Sequence, residues 1–166
     1  MKGRDIVIGL IVLAAIAAIV FWYRKSSLET STPSPSVTEE TQETFETNFG
    51  ITLPEDAERA TLEDVMGGSG SGIATRRIEG GIFMHTVLAD LPDPEGTTFY
   101  EGWLVRGKMG DSDFHFISTG KMQVAKGGFL LNFESSTDYS DYTGVVITLE
   151  TVFDATPEEH ILEGSF

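Results

Sequence analysis

Hydrophobic and polar positions divide the chain into three regimes. From Ile6 to Tyr23 an apolar run passes without one charge. A helix over those residues reaches about 27 Å at ~1.5 Å per residue, which spans a hydrocarbon core of about 30 Å with little tilt. From Ser26 to about Gly50 the chain turns to Ser, Thr, Glu and Pro. Beyond Ile51 apolar and polar residues alternate in short runs separated by Gly, Asp and Pro, with no sustained helical period, and this pattern predicts strands.

The clearest strands are Phe129 to Phe133, where Phe129, Leu131 and Phe133 share a face, and Val145 to Glu150, where Val145, Ile147 and Leu149 do. Further strands are expected at Arg59 to Val65, Gly72 to Arg77, Gly81 to Leu91, Thr98 to Val105, Asp113 to Val124 with a break at Thr119-Gly120, and His160 to Phe166. Pro54 to Asp64 reads equally as a short helix, given Glu55, Asp56 and Glu58 after a proline. Pro92, Pro94 and Gly96 mark a rigid connector, and Lys126-Gly127-Gly128 a tight hairpin. About eight short strands of this kind imply an all-β fold, an Ig-like, Greek-key antiparallel β-sandwich over residues 51–166.

The apolar run is read as a transmembrane helix over 6–23, with Trp22 and Tyr23 at the headgroup level and Arg24 and Lys25 as interfacial anchors. Two other readings compete. A cleaved signal peptide needs a small-x-small site, and the one available, Ala15-Ile16-Ala17, lies inside the run; a buried core helix would show a polar face. Lys2 and Arg4 balance Arg24 and Lys25, so charge alone does not orient the span. A short tail at 1–5 and a long acidic segment after the span favour a cytoplasmic N-terminus and an extracytoplasmic domain, a signal-anchor arrangement in a single-pass protein of the cell membrane. Residues 24–50 are expected to form a disordered stalk, because Glu29, Glu39, Glu40, Glu43 and Glu46 repel without a cation between them; Phe45 and Phe49 mark where the chain first touches the folded part.

The formal charge of −15, from 26 acidic and 11 basic side chains, excludes a basic face for nucleic acid. Cysteine is absent, so disulfides, thiolate metal sites and thiol nucleophiles are excluded. With no N-x-Ser/Thr acceptor, the chain leans toward a bacterial surface protein.

One run of landmarks carries a family likeness. Leu91-Pro92 precedes a Pro/Gly turn; Tyr100-Glu101-Gly102-Trp103-Leu104-Val105 follows, then Ser118-Thr119-Gly120, then Val145-Val146-Ile147-Thr148-Leu149-Glu150, then Pro157 ahead of Ile161-Leu162-Glu163-Gly164. In order and spacing these residues resemble the C-terminal extracytoplasmic domain of anti-sigma-K factors, over roughly residues 81–164. The resemblance implies a β-sandwich with a regulatory role, its core motif falling on Leu91, Pro92, Tyr100, Trp103, Gly120, Thr148, Glu150, Pro157 and Gly164. The family's N-terminal sigma-binding zinc domain has no counterpart in residues 1–5.

Candidate chemistry is sparse. Gly67-Gly68-Ser69-Gly70-Ser71-Gly72 has the glycines of a phosphate loop but neither the Lys-Ser/Thr nor the following helix, and reads as a flexible hairpin loop. Met84, His85, Met109, His115 and Met122 offer copper-type ligands without a ligand spacing. Asp111-Ser112-Asp113 and Asp138 to Tyr142 offer calcium-type oxygens but read as solvated turns. No Gly-x-Ser-x-Gly or His-Glu-x-x-His motif occurs. Glu101 and Glu150 form a candidate carboxylate pair, or simply face outward from their strands; Phe99, Tyr100, Trp103 and Phe129 are expected core residues. The expectation is a non-catalytic, anti-sigma-factor-like sensing or interaction domain, with the lipid bilayer and a protein of the membrane or envelope as partners and neither cofactor nor metal. The alternatives are a structural envelope adhesin and a copper- or calcium-binding surface domain.

Overall fold

The computed structural model describes residues 39–166. The 6–23 span, its anchors Trp22, Tyr23, Arg24 and Lys25, and the first part of the stalk lie outside the described residues. Among the described residues no helix is long and apolar enough to cross a membrane.

Helix α1 (Glu39–Phe49) comes first. Nine strands follow: β1 (Glu58–Asp64), β2 (Ser71–Glu79), β3 (Ile82–Asp90), β4 (Phe99–Arg106), β5 (His115–Lys121), β6 (Gln123–Ala125), β7 (Gly128–Ser135), β8 (Gly144–Glu150) and β9 (Glu159–Ser165). Each expected strand is present to within two residues at most of its ends, and Pro54 to Asp64 resolves into a turn followed by β1. The hydrogen-bonded order is β5-β4-β8-β9-β1-β2-β3-β7-β6, antiparallel throughout. Where the sequence pattern was read as a sandwich of two sheets, the ladder runs unbroken through all nine strands.

The two edges of this nearly closed, barrel-like sheet are consecutive in the chain. β5 is one edge and β6 the other, and only Met122 separates them. The break expected at Thr119-Gly120 falls instead at Met122, and Thr119-Gly120 forms a bulge within β5. Register shifts there, Gly102 facing Gly120 while Trp103 faces Ser118, so Thr119 is an extra residue. Gly120 takes φ +106°, a conformation that side chains with a Cβ resist.

Alternation sorts side chains into an inner and an outer set. Cross-strand rows such as Ala60, Ala74, Val87 and Leu131 fill the barrel together with Leu62, Tyr100, Leu104, Phe129, Val145, Ile147 and Leu162. An outer row, Ile73, Leu88 and Leu130, receives α1 through Phe45 and Phe49, with Leu53 completing the contact.

The helix corrects the domain limit. Residues 39–49 belong to the folded body, not to the disordered stalk assigned to 24–50. Glutamate is a good helix former, Glu39 and Glu40 sit where the helix dipole favours negative charge, and Phe45 and Phe49, four residues apart, stack at 6.0 Å on the barrel wall. Gly50, at φ +68°, ends the helix by donating its N–H to the Glu46 carbonyl at 2.8 Å.

Candidate functional site

On β4 and β8 the outward residues face each other as Glu101 with Thr148 and Trp103 with Val146, one position from Phe99 with Glu150. Outward here does not mean wet. Glu101, Trp103, Thr148 and Glu150 are at most 2% exposed. The β8–β9 connection folds back over this wall, with Phe153 against Phe99 at 6.3 Å. A relay of hydrogen bonds holds it down: Trp103 Nε1 donates to Thr148 Oγ1 at 2.8 Å, Thr148 Oγ1 donates to Glu150 Oε1, and the Glu158 N–H donates to the same carboxylate at 3.0 Å. The Glu158 carboxylate in turn accepts from Thr151 N at 2.7 Å and from its hydroxyl.

Glu101, beside this relay, is only half satisfied. Its Oε1 accepts from Ser118 Oγ, but Oε2 is buried without a partner. Burial raises the Glu101 pKa above the ordinary carboxylate range; the Ser118 hydrogen bond opposes this, and the Glu150 charge adds to the rise.

Beside the relay lies a cleft of about 650 Å³ whose exposed lining is mainly apolar. Its aromatic wall is a row of rings, Trp103 to Phe116 at 5.9 Å and Phe116 to Phe114 at 5.8 Å. Val105, Met109, Val146 and Pro157 also line it, and His160 and Glu163, paired at 2.6 Å, are among its polar residues.

Of the motif positions drawn from the sequence, Trp103, Thr148, Glu150 and Pro157 meet at this wall. The others do not. Leu91 and Tyr100 are interior, and the Tyr100 hydroxyl donates to the Pro92 carbonyl at 3.1 Å. Gly120 sits at the β5 bulge, and Gly164 lets β9 approach β1 where a Cβ would overlap the Thr61 carbonyl. The sequence placed Glu101 and Glu150 beside aromatics but not under a loop; Phe114 and Phe116 as a binding wall had no signal beyond their alternation with His115.

The remaining candidates disperse. Asp64 itself occupies the glycine-rich loop, accepting from Met66 N at 2.9 Å, Gly68 N at 2.8 Å and Gly70 N at 3.2 Å. These bonds, Gly68's foremost, hold its pKa below the usual value, so the N–H groups a phosphate would need already serve a carboxylate. His85 is inside the barrel with its Nδ1–H donating to the Thr75 carbonyl, whereas His115 hydrogen-bonds Tyr142 Oη at 2.8 Å. Met122 is core and Met109 exposed. Asp138 accepts from Ser140 N and Oγ in a turn, and Asp141 pairs with Arg106 at 2.6 Å. Among the described residues no group of three His, Asp or Glu is arranged to hold a metal ion.

Fold and wall together define a small antiparallel β-domain, curled nearly to a barrel, with an apolar cleft on its outer surface. No protein-family model, curated protein or solved structure matches the chain.

Proposed function

We propose that this chain is a membrane-tethered, non-catalytic sensing or interaction domain displayed outside the cell membrane, the receiving part of an anti-sigma-factor-like regulator. The observation that carries the reading is the cleft beside Trp103. Its exposed lining is mainly apolar, and beneath it the Thr148 hydroxyl and the Glu150 carboxylate are engaged with Trp103, with each other and with the β8–β9 connection, an arrangement suited to recognition by shape rather than to bond chemistry. In favour of the family-like role, four of the shared motif positions converge on this wall. The finer fold in this reading is a Greek-key sandwich whose halves have merged into a ring. Its support is the connectivity: β4, β5/β6 and β7 are consecutive neighbours, and β8 returns by a long connection to lie beside β4. The tether rests on the uncharged run Ile6 to Tyr23.

Protease added to intact cells carrying the full chain tests the display. Loss of the domain while a cytosolic control survives is the expected result; survival of both refutes an outward receiver.

A further inference from the structure

We infer that the cleft beside Trp103 binds a small organic cation, an alkyl- or aryl-substituted ammonium whose apolar body lies on the aromatic wall. The inference rests on the reading of that cleft as the binding site and adds the chemical class of its occupant.

Three observations converge on a positive charge. The first is the ring row of Trp103, Phe116 and Phe114, spaced at 5.9 and 5.8 Å along one wall. Aromatic faces carry negative electrostatic potential and attract ammonium groups, most of all when several rings share one desolvated site. Secondly, the indole N–H is already given to Thr148 Oγ1, so Trp103 has no donor left for an anion.

The third is the charge around the mouth. Glu163 stands on the β9 side of the cleft and Glu158 at the end of the β8–β9 connection, which also carries Asp154. Lys108 reaches the cleft from the β4–β5 connection, but that connection holds Asp111 and Asp113 as well. Both loops that frame the opening are therefore net negative, on a chain of formal charge −15. A carboxylate or phosphate would meet this excess as repulsion, whereas a cation with an apolar tail has a complementary rim and floor. The volume of about 650 Å³ accommodates a tail of several carbons.

The test compares three probes of equal chain length, hexyltrimethylammonium, hexan-1-ol and hexanoate, on the full chain carrying Trp22→Phe, so that fluorescence reports Trp103 alone. Expected is a saturable response in which the cation binds about tenfold more tightly than the alcohol and hexanoate binds weakest. Glu163→Gln, which removes the carboxylate from the rim and its pairing with His160, is expected to reduce the cation's preference over hexanol several-fold; Phe116→Ala weakens both. Hexanol or hexanoate binding as tightly as the cation overturns the cationic class but leaves the cleft as a site. No response of Trp103 to any probe overturns the site as well.

Discussion

Histidine 85 makes the stability of the barrel depend on pH in a window that can be worked out. Its Nδ1 faces the Thr75 carbonyl at 2.9 Å, and since a carbonyl only accepts, the neutral ring carries its proton there. Nε2 is then a bare acceptor, buried without a partner, with the Phe166 ring 6.1 Å away edge-on. Protonation would place a second hydrogen and a full charge in the interior beside Arg76, whose guanidinium is pinned by Glu58 and by the Ser140 and Tyr142 carbonyls. Burial above all, and the Arg76 charge, lower the His85 pKa from 6.5 to about 4, against the opposing Thr75 hydrogen bond.

A lowered pKa means that the unfolded chain binds the proton first. Stability is therefore full above about pH 6.5, declines as pH falls, and has lost the whole contribution once pH passes below about 4. The total is about 3 kcal/mol, of which about 2 kcal/mol is gone at pH 5. Urea unfolding followed by circular dichroism, for the native chain and His85→Gln, checks this. Other groups titrate in both proteins, so the quantity of interest is the difference in unfolding free energy between them at pH 7.5 and pH 5. It should shift by roughly 2 kcal/mol in favour of the glutamine protein at the lower pH. A difference that stays constant would refute the buried, proton-excluding environment assigned to His85.

Phe45→Ala should cost about 3 kcal/mol or more in urea unfolding, because it removes a buried ring from the helix face and exposes the Ile73–Leu88–Leu130 row; a change under ~0.5 kcal/mol would mean that α1 is not docked. Glu101→Gln should change stability in the opposite pH sense to His85: a raised pKa stabilises at low pH and is lost as pH rises through the folded value. The variant should therefore gain on the native protein as pH rises above the ordinary carboxylate range, and an unchanged difference would contradict the burial of that carboxyl. Gly164→Ala should lower the melting temperature sharply, since the added methyl overlaps the Thr61 carbonyl and forces β9 away from β1; a native melting temperature would show that the two strands are not so close.

The strands were legible because alternation is a local property. Phe129, Leu131 and Phe133 point inward, as do Val145, Ile147 and Leu149, and the hairpin at Gly127-Gly128 falls where its glycines require. Helix α1 was not legible. Its sequence, EETQETFETNF, has two large apolar residues and four glutamates, and alone it buries too little to repay ordering. Only a wall already presenting Ile73, Leu88 and Leu130 makes it fold. The candidate site was half visible: Trp103, Thr148, Glu150 and Pro157 stood out as a motif, and Glu101 with Glu150 as a pair, yet nothing local showed that the β8–β9 connection would cover them.

Local chemistry by itself determined that this is a β-protein, roughly where its strands lie, and which side of each strand is apolar, because a period of two is written into neighbouring residues. Closure into a barrel, the docking of α1, the burial of Glu101 and the cleft beside Trp103 were decided only in three dimensions. Each depends on partners far apart in the chain, and alternation tells which face of a strand seeks cover without saying what will cover it.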